Sequence, residues 1–311
     1  MGTLRIQSTH TFFFTSLRAL SSLNADVVHS FYPADALAAI CMRRRTGHRT
    51  VLQMNGVAVP GVSCYRWMPP EGGMFREALR RSDGRIACSQ FVRRLLFEHY
   101  GVDSEVIPPP TRVEAYEVGD GPPDGRPTIL AAANFDVRRK GVRALVKAFG
   151  IVKRAVPASR LRLSGAMSSS LQSELLDGIP ERVRTDIEVL GLGEVEDLPR
   201  LYREASVTVL PAMWEPSGTV LVESFASGTP VVATNHGGIP EFVPADVGVL
   251  FDPQTDGEET HNASGLADAI LEGFALADKP GTRARCRDHA QRYGWAAAGP
   301  RIERLYRGDR S

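Results

Sequence analysis

Short apolar runs alternate along the chain with longer segments in which apolar positions recur three and four residues apart. In the first 110 residues the short runs predict strands and the longer segments predict amphipathic helices. The predicted strands span residues 25–29, 50–54, 84–88 and 102–107. The predicted helices span residues 17–23, 34–45, 74–81 and 90–100, the last between an N-cap at Ser89 and a stop at Gly101. This alternation predicts an α/β domain with a parallel sheet covered by helices on both faces.

The same alternation is clearer after residue 127. The predicted strands span residues 128–133, 160–164, 187–190, 207–210, 230–233 and 247–251. The predicted helices span residues 142–155, 170–176, 198–205, 218–226 and 265–277, and two more helical stretches, 283–291 and 296–307, end the chain. This half therefore predicts a second doubly wound domain.

A segment rich in proline and glycine separates the two patterns. Six prolines fall between residues 108 and 127, which is typical of a linker. We therefore predict an N-terminal domain over 1–110, a linker over 111–127, a second domain over 128–290 and a terminal helix in 291–311. In open parallel sheets of this kind, ligands bind at the carboxyl ends of the strands.

Composition and net charge indicate which classes of molecule this protein is expected to bind. The chain has 311 residues, of which 43% are hydrophobic and 23% charged, and its formal net charge of +1 argues against a nucleic-acid partner. The first 115 residues carry 14 arginines against 9 acidic residues. This basic excess, together with Arg43, Arg44 and Arg45 at one helix end, would suit peripheral contact with an anionic membrane surface, although a solvated protein surface explains it more simply.

Cysteine use and hydropathy indicate where the chain is expected to work. The four cysteines lie far apart without a Cys-x-x-Cys pair or a metal-ligand spacing with histidine, which predicts reduced thiols and a cytoplasmic protein. No apolar run reaches the roughly 18–20 residues needed to cross a bilayer. We expect a cytoplasmic protein that can touch the inner face of the membrane only peripherally.

The segment Glu215-Pro-Ser-Gly-Thr-Val-Leu-Val-Glu223 carries the strongest chemical signal. It follows a buried strand and enters a helix, so the backbone N–H groups of Ser217, Gly218 and Thr219 are first-turn donors that can hold a phosphate. We expect that Gly218 lets the ligand approach closely, since a Cβ there would obstruct it. Glu223 can accept hydrogen bonds from a ribose diol, and Glu215 would face the group attached to the phosphates. Taken alone, two solvated helix charges explain the glutamates about as well.

Three other features follow strands at the same edge of the predicted sheet. Lys140 opens a helix where its cation could meet the phosphates, and Arg138 and Arg139 precede it. Gly165 permits close backbone approach, and Gly237-Gly238 follows a third strand. Each is weak alone, since surface lysines and turn glycines are common, but together they indicate one ligand site.

These residues resemble the donor-binding half of the retaining glycosyltransferases of family four. The matching segments are Arg139-Lys-Gly141, Leu163-Ser-Gly165, Leu201-Tyr202, Glu215-x7-Glu223, Ala226-Ser-Gly-Thr-Pro-Val-Val-Ala-Thr234 and Gly237-Gly-Ile-Pro-Glu241. The resemblance implies a GT-B fold, in which two Rossmann-like domains face each other across a cleft. It also implies that this chain begins just before the fourth strand of the first domain, which is therefore shortened.

The resemblance assigns a role to each matching residue. Glu223 would bind the nucleotide ribose, and the amides around Gly218 and Thr219 would bind the diphosphate with Lys140. Glu215 would hold hydroxyls of the transferred sugar, whose anomeric configuration is retained. No metal ion or other cofactor is implied.

Two positions depart from the family pattern. The family pairs its lysine with an arginine six residues earlier, where this chain has Asn134; Arg138 or Arg139 would have to supply the missing charge. A histidine usual in the first domain is replaced by Asn55, which can still hydrogen-bond a sugar hydroxyl on the acceptor side but cannot carry a proton.

We therefore expect a glycosyltransferase that moves a sugar from a nucleoside-diphosphate sugar to an unidentified acceptor, whether a glycan, a glycolipid or a small molecule. The alternative is a catalytically impaired protein of the same fold that binds sugar nucleotides or a partner, which Asn55 and Asn134 favour. A phosphorylase is disfavoured because no lysine has the surroundings that its cofactor requires. A glycosidase is disfavoured because its carboxylates would line an open sugar groove.

Overall fold

The structure is a computed structural model that describes residues 2–57, 59, 71–193, 197–255 and 259–309, with backbone alone for residues 2–10 and 71. The chain divides into two compact units, which are described separately. The first unit comprises Met1–Pro109 and Ala296–Ser311, and the second comprises Pro110–Trp295. Within the described residues, no helix combines the length and the apolar character needed to cross a membrane.

The first unit contains a four-stranded parallel sheet in the order β1-β2-β3-β4. Its strands are β1 (Val27–Ser30), β2 (Arg49–Met54), β3 (Gly84–Ala87) and β4 (Glu105–Val106). Its first four helices are α1 (Gly2–Ser21), α2 (Pro33–Thr46), α3 (Glu71–Arg81) and α4 (Gln90–Tyr100). Apolar side chains from β2, β3, α3 and α4 form the main core, among them Leu52, Met54, Phe75, Leu79 and Leu96.

Two predictions for this unit were wrong in their extent. The predicted helix 17–23 is the end of α1, which runs from Gly2 to Ser21; the consecutive apolar Phe12, Phe13 and Phe14 hide its helical period. The predicted strand 102–107 contains only the two residues of β4. Gly101 ends α4 in the left-handed region with φ of 65°, and Asp103 then accepts hydrogen bonds from Arg93 and the Ser104 N–H, which holds a turn.

The second unit contains a six-stranded parallel sheet in the order β10-β9-β8-β5-β6-β7. Its strands are β5 (Thr128–Ala132), β6 (Arg160–Ser164), β7 (Ile187–Gly191), β8 (Val207–Leu210), β9 (Val231–Thr234) and β10 (Gly248–Phe251). Its helices are α5 (Val142–Ala155), α6 (Ser169–Leu176), α7 (Glu181–Arg184), α8 (Leu198–Arg203), α9 (Thr219–Ala226), α10 (Ala263–Ala277) and α11 (Thr282–Ala290). Helices α5 and α10 cover the larger core, which includes Ile129, Phe149, Leu161, Val207 and Ile270.

The chain reverses direction across this sheet between β5 and β8. The first strand, β5, pairs with β6 on one side and with β8 on the other. Successive strands therefore run outward in both directions from β5, as in doubly wound nucleotide-binding folds. The loops that leave the carboxyl ends of β5 and β8 flank this switch point, where such folds bind their ligands.

Residues 110–119 pack within the second unit, against α9 and α11. A single nitrogen of Arg287, in α11, donates to the carbonyl oxygens of Val113, Tyr116 and Ala226 at 2.9, 2.7 and 2.7 Å. The Gly119 N–H donates to the Ser227 carbonyl oxygen at the end of α9. Residues 113–119 are thus hydrogen-bonded to α11 and to the end of α9.

The last helix, α12 (Trp295–Arg307), packs within the first unit. Its Ala298 and Ile302 join Val51, Ile86 and Ile107 in a buried cluster. Its Tyr306 hydroxyl lies 2.7 Å from Nδ1 of His29 in β1.

Candidate active site

Glu215 forms ion pairs with two adjacent cations in the second unit. Its Oε2 accepts hydrogen bonds from Lys140 Nζ at 2.6 Å and from Arg139 at 3.0 Å. All three side chains are between 16% and 18% exposed, so water screens the cluster only weakly. The structure thus brings together the predicted residues Arg139, Lys140 and Glu215.

The loop after β5 is shaped so that both cations reach Glu215. Gly141 has φ of 70°, and a Cβ on it would lie 2.2 Å from the carbonyl oxygen of Pro211, just after β8. The Arg139 carbonyl oxygen accepts the Met213 N–H at 2.8 Å. Only glycine permits this approach of the two loops at the switch point.

Glu215 itself is held through its backbone. Its carbonyl oxygen accepts the Gly238 N–H at 2.9 Å, and a Cβ on Gly237 would lie 2.7 Å from the same oxygen. The preceding residue, Trp214, has φ of 54°, and its N–H donates to Nδ1 of His236 at 3.2 Å. The predicted glycine pair therefore packs against the backbone of the first glutamate.

Helix α9 begins with open backbone donors. It starts at Thr219 with Gly218 as N-cap, one residue later than predicted. In the part of the chain that the structure describes, the N–H groups of Ser217, Gly218 and Thr219 have no hydrogen-bond acceptor. They form the positive end of the helix dipole two to four residues after Glu215.

The structure places a side chain close to Gly218. Gly218 has φ of −125°, which other residues adopt readily. A Cβ on it would lie 2.6 Å from Cδ1 of Leu221, one turn into α9. A side chain at position 218 would therefore have to displace the side chain of Leu221, and the predicted approach of a ligand stays a prediction.

Glu223, the fifth residue of α9, is mostly buried. Its Oε2 accepts a hydrogen bond from the Tyr202 hydroxyl at 2.8 Å, and the Tyr116 hydroxyl lies near the same carboxylate. Burial raises the pKa of Glu223, and the two hydroxyls partly oppose that rise. Burial and the nearby carboxylate raise the pKa of both tyrosines, so they remain donors.

A pocket of about 710 Å³ opens at the carboxyl ends of β5, β6 and β7. Three predicted residues, Asn134, Gly165 and Glu223, line it, and so do the exposed Leu190 and Leu192. Glu223 also lines a second pocket of about 620 Å³, formed by residues 110–117, α8 and Thr219. The second glutamate thus lies between two cavities of ligand size.

Gly165, which lines this pocket, lies against the backbone of two neighbouring loops. Its φ is 134°, and a Cβ on it would lie 1.9 Å from the carbonyl oxygen of Ala133. Its N–H donates to the Gly191 carbonyl oxygen at 2.7 Å. The loop after β5 therefore requires glycine at this position, and the approach of a ligand stays a prediction. Asn134, in that loop, accepts the Asp136 N–H through Oδ1 at 3.2 Å.

Asn55 belongs to the first unit. It is exposed after β2 and accepts a hydrogen bond from Gln53 at 3.1 Å. Sequence reasoning did not single out Trp214, His236, Tyr116 or Tyr202. Leu201-Tyr202 stood among the matched segments, and His236 precedes the predicted glycine pair, but nothing in the sequence indicates the contacts of these residues.

Among the described residues, no group of three or more His, Cys, Asp or Glu side chains is arranged to hold a metal ion. The polar groups at the site are cations, carboxylates and helix amides, which suit an anionic ligand bearing hydroxyl groups.

The fold and this site define a class of protein. The structure resembles a sucrose-phosphate synthase from Thermosynechococcus elongatus with a TM-score of 0.79 and 22% identity, over 97% of this chain and 78% of that chain. It resembles Anabaena HepE in complex with UDP with a TM-score of 0.72 and 17% identity, over 95% of this chain and 80% of that one. The fold is the GT-B fold of glycosyltransferases.

Sequence comparison identifies the family. Residues 2–115 match the model for Glycosyltransferase Family 4, and residues 126–274 match that for Glycosyl transferases group 1. A D-inositol 3-phosphate glycosyltransferase from Nocardiopsis dassonvillei is 30% identical, over 91% of this chain and 70% of its own length. The chain belongs to the family 4 glycosyltransferases and is a sugar-transferring enzyme.

Proposed function

We propose that the sugar donor is a nucleoside-diphosphate sugar and that transfer retains the anomeric configuration. The observation that carries this proposal is the ion-pair cluster of Lys140, Arg139 and Glu215 beside three open amides at the start of α9. Two cations and a helix N-terminus suit a diphosphate, whose charge they offset. The UDP bound to Anabaena HepE is consistent with such a donor.

The pocket at the carboxyl ends of β5, β6 and β7 fits the nucleoside. Its volume of about 710 Å³ lies within the range of small-molecule sites. Glu223, at one side of it, would accept hydrogen bonds from the ribose diol, with its carboxylate oriented by Tyr202. Asn134 and Gly165 would border the site at the end of the phosphates.

The chemistry assigned to the chain is stabilisation of a leaving group. The bond between the anomeric carbon and the diphosphate breaks, and the acceptor oxygen bonds to that carbon on the same face. The acceptor proton passes to the departing phosphate oxygen. Lys140, Arg139 and the amides of Ser217, Gly218 and Thr219 would offset the charge that develops on the diphosphate. Glu215 would hold sugar hydroxyls, and no metal ion or other cofactor takes part.

Arg139 would supply the charge that Asn134 does not, since it shares the same carboxylate oxygen with Lys140. On the acceptor side, Asn55 would hydrogen-bond a sugar hydroxyl. The acceptor would be a glycan, a glycolipid or a small molecule.

We further propose a cytoplasmic enzyme that meets the inner membrane face through its first unit. Phe12 and Phe14 on α1 are 46% and 64% exposed, and the basic Arg43, Arg44 and Arg45 end α2. Apolar and cationic side chains on one unit suit an anionic bilayer. Sedimentation with vesicles that contain anionic lipid, compared with neutral vesicles, tests this contact; equal sedimentation with both would exclude it.

The donor proposal is tested by calorimetric titration of UDP, GDP and ADP, followed by hydrolysis of UDP-glucose and GDP-mannose. We expect one nucleotide to bind, and Glu223→Ala to weaken it by about 10- to 100-fold, as for a lost hydrogen bond to a charged group. Glu215→Ala should bind the nucleotide but hydrolyse the donor slowly. The matched control is Glu272→Ala, an exposed glutamate on α10.

Two outcomes contradict this assignment. If Glu223→Ala and Glu215→Ala bind and turn over like the parent, the site is elsewhere. If the parent binds a nucleotide but transfers no sugar to any acceptor and hydrolyses no donor, the impaired binding protein becomes the better description.

A further inference from the structure

Trp214 has an unusual backbone conformation next to the proposed sugar-binding glutamate. Its φ of 54° is the only positive φ of a non-glycine residue in the part of the chain that the structure describes. For a bulky side chain this region is strained, by about 1–3 kcal/mol, and such strain persists only where the surroundings impose it. Neighbouring groups must therefore hold this residue.

His236 provides the contacts that hold Trp214. The Trp214 N–H donates to Nδ1 of His236 at 3.2 Å, and the two rings meet edge to face with centroids 4.5 Å apart. Because Nδ1 accepts, the proton of the neutral ring is on Nε2. Burial lowers the pKa of His236, which favours this neutral form.

Residues 236–238 also hold the backbone of Glu215. The Gly238 N–H donates to the Glu215 carbonyl oxygen at 2.9 Å, two residues after His236. Gly237, with φ of 67°, packs so closely on Glu215 that a Cβ would lie 2.7 Å from its carbonyl oxygen. Residues 236–238 therefore fix the backbone of 214 and 215 at two consecutive points.

We propose that His236 is a positioning residue for sugar transfer. Its Nδ1 holds Trp214 in the left-handed conformation, which fixes the direction in which Glu215 leaves the backbone and so aims its carboxylate at Lys140. This inference rests on the proposed role of Glu215 in holding the transferred sugar. Among the described residues, the His236 side chain makes no hydrogen bond with the Glu215 carboxylate or with its two cations.

Two substitutions of His236 distinguish the role of its hydrogen-bond acceptor, Nδ1, from the role of its aromatic ring. In His236→Asn the amide Oδ1 stands at the position of Nδ1 and can accept the same hydrogen bond. In His236→Phe a ring remains against Trp214 but the acceptor is gone. The readouts are kcat and KM for hydrolysis of UDP-glucose or GDP-mannose, whichever the parent uses, and the Kd for UDP or GDP.

We expect His236→Phe to lower kcat by about tenfold or more, since a small misplacement of a sugar-holding group is enough for such a loss. The Kd for the nucleotide, which lacks the sugar, should stay within about twofold, because the diphosphate contacts of Lys140 remain. His236→Asn should keep kcat within about threefold of the parent, because the hydrogen bond to Trp214 is kept.

If His236→Phe folds poorly, the same substitution can be tested in a second parent protein, the variant Trp214→Gly. Glycine adopts positive φ without strain, so Trp214→Gly removes the need for a holding group. Adding His236→Phe to Trp214→Gly should change kcat by less than about threefold, whereas the same change in the parent costs about tenfold. An equal loss in both backgrounds overturns the proposal.

Other outcomes are equally decisive. Parental kcat in His236→Phe, or equal losses in His236→Phe and His236→Asn, would remove the assigned role of Nδ1. Glu215→Ala is measured alongside: if it turns over like the parent, the proposed role of Glu215 fails first. If it is slow while His236→Phe is not, only the positioning role of His236 fails.

Discussion

Lys140 and Glu215 are 75 residues apart in the sequence, yet Lys140 Nζ lies 2.6 Å from Glu215 Oε2. The pair is shielded from water, so its attraction is stronger than that of an exposed ion pair. It is formed where the loops after β5 and β8 meet at the switch point of the sheet. The cation is therefore oriented before any ligand arrives, and the proposed diphosphate donor would meet a site that is already assembled.

Removing this cation should weaken binding of the nucleotide. Lys140→Ala is expected to raise the Kd for UDP or GDP by about 10- to 100-fold, because a hydrogen bond to a charged group contributes about 1.5–3 kcal/mol. The salt dependence of binding should also fall, since one cation fewer faces the diphosphate. Titration at two salt concentrations measures both effects. Lys147→Ala, an exposed lysine of α5, is the control and should bind like the parent.

Glu223 depends on a tyrosine that is wholly buried. Tyr202→Phe removes the hydroxyl that donates to Oε2, so the pKa of Glu223 should rise further and its orientation should loosen. We expect the Kd for the nucleotide to increase by about tenfold, with a larger loss at pH 6 than at pH 7.5, since hydrogen bonds to ionised groups are strong. Tyr293→Phe, in the same unit, should leave binding unchanged. Equal affinity in Tyr202→Phe and the parent would contradict the role of Tyr202.

Two glycines should respond to alanine in opposite ways. Gly165→Ala places a Cβ 1.9 Å from a backbone oxygen at φ of 134° and should destabilise the chain by about 2–5 kcal/mol. Gly150→Ala, inside α5 with open space around the new Cβ, should stabilise it by about 0.5–1 kcal/mol. Denaturant unfolding measures both changes. Loss of stability in both variants would show that the space around Gly150 is not free.

Three histidines should make the chain less stable in mild acid. Burial lowers the pKa values of His29, His236 and His289 below the unfolded value of about 6.5. The unfolded chain then binds more protons, so stability is full above that value and is lost as pH falls through the folded-state pKa values. We expect a lower Tm at pH 5.5 than at pH 7.5.

The variant His289→Gln removes one of these groups while an amide can still donate to the Phe242 carbonyl oxygen. Its pH dependence should be flatter than that of the parent. A Tm that rises on acidification would rule out this account. Glu223, whose pKa is raised, acts in the opposite sense and does not add to the loss.

Much of the fold was predictable because it depends on local patterns. The alternation of strand and helix predicted the parallel sheets, and the resemblance implied the GT-B fold, which the comparisons confirm. Ser89 and Gly101 were correctly placed at the ends of α4. The extent of α1 was not predicted because three consecutive phenylalanines hide its helical period. The extent of β4 was not predicted because Asp103 accepts a hydrogen bond from the Ser104 N–H, and this turn interrupts the apolar run.

The site was predictable only in part. The sequence places Lys140 and Glu215 at one edge of a sheet, because carboxyl ends of parallel strands meet there. It does not indicate that Glu215 binds Lys140 directly, or that Tyr116 and Tyr202 face Glu223. These contacts depend on side-chain directions across loops. The carbonyl oxygen of Ala133 beside Gly165 and the side chain of Leu221 beside Gly218 were likewise not predictable, because a sequence does not show which atoms surround a glycine. The approach of a ligand to these two glycines stays a prediction.

The three hydrogen bonds from Arg287 to backbone carbonyl oxygens limit how the length of this chain can vary among homologues. Insertions or deletions between residues 110 and 119 would displace the C-terminal end of α9 and so move Glu223, which lies three residues before the last residue of that helix. A change of length between residues 120 and 123 would leave those bonds in place. Homologues should therefore differ in length between the positions of residues 120 and 123 and keep a constant length between those of residues 110 and 119.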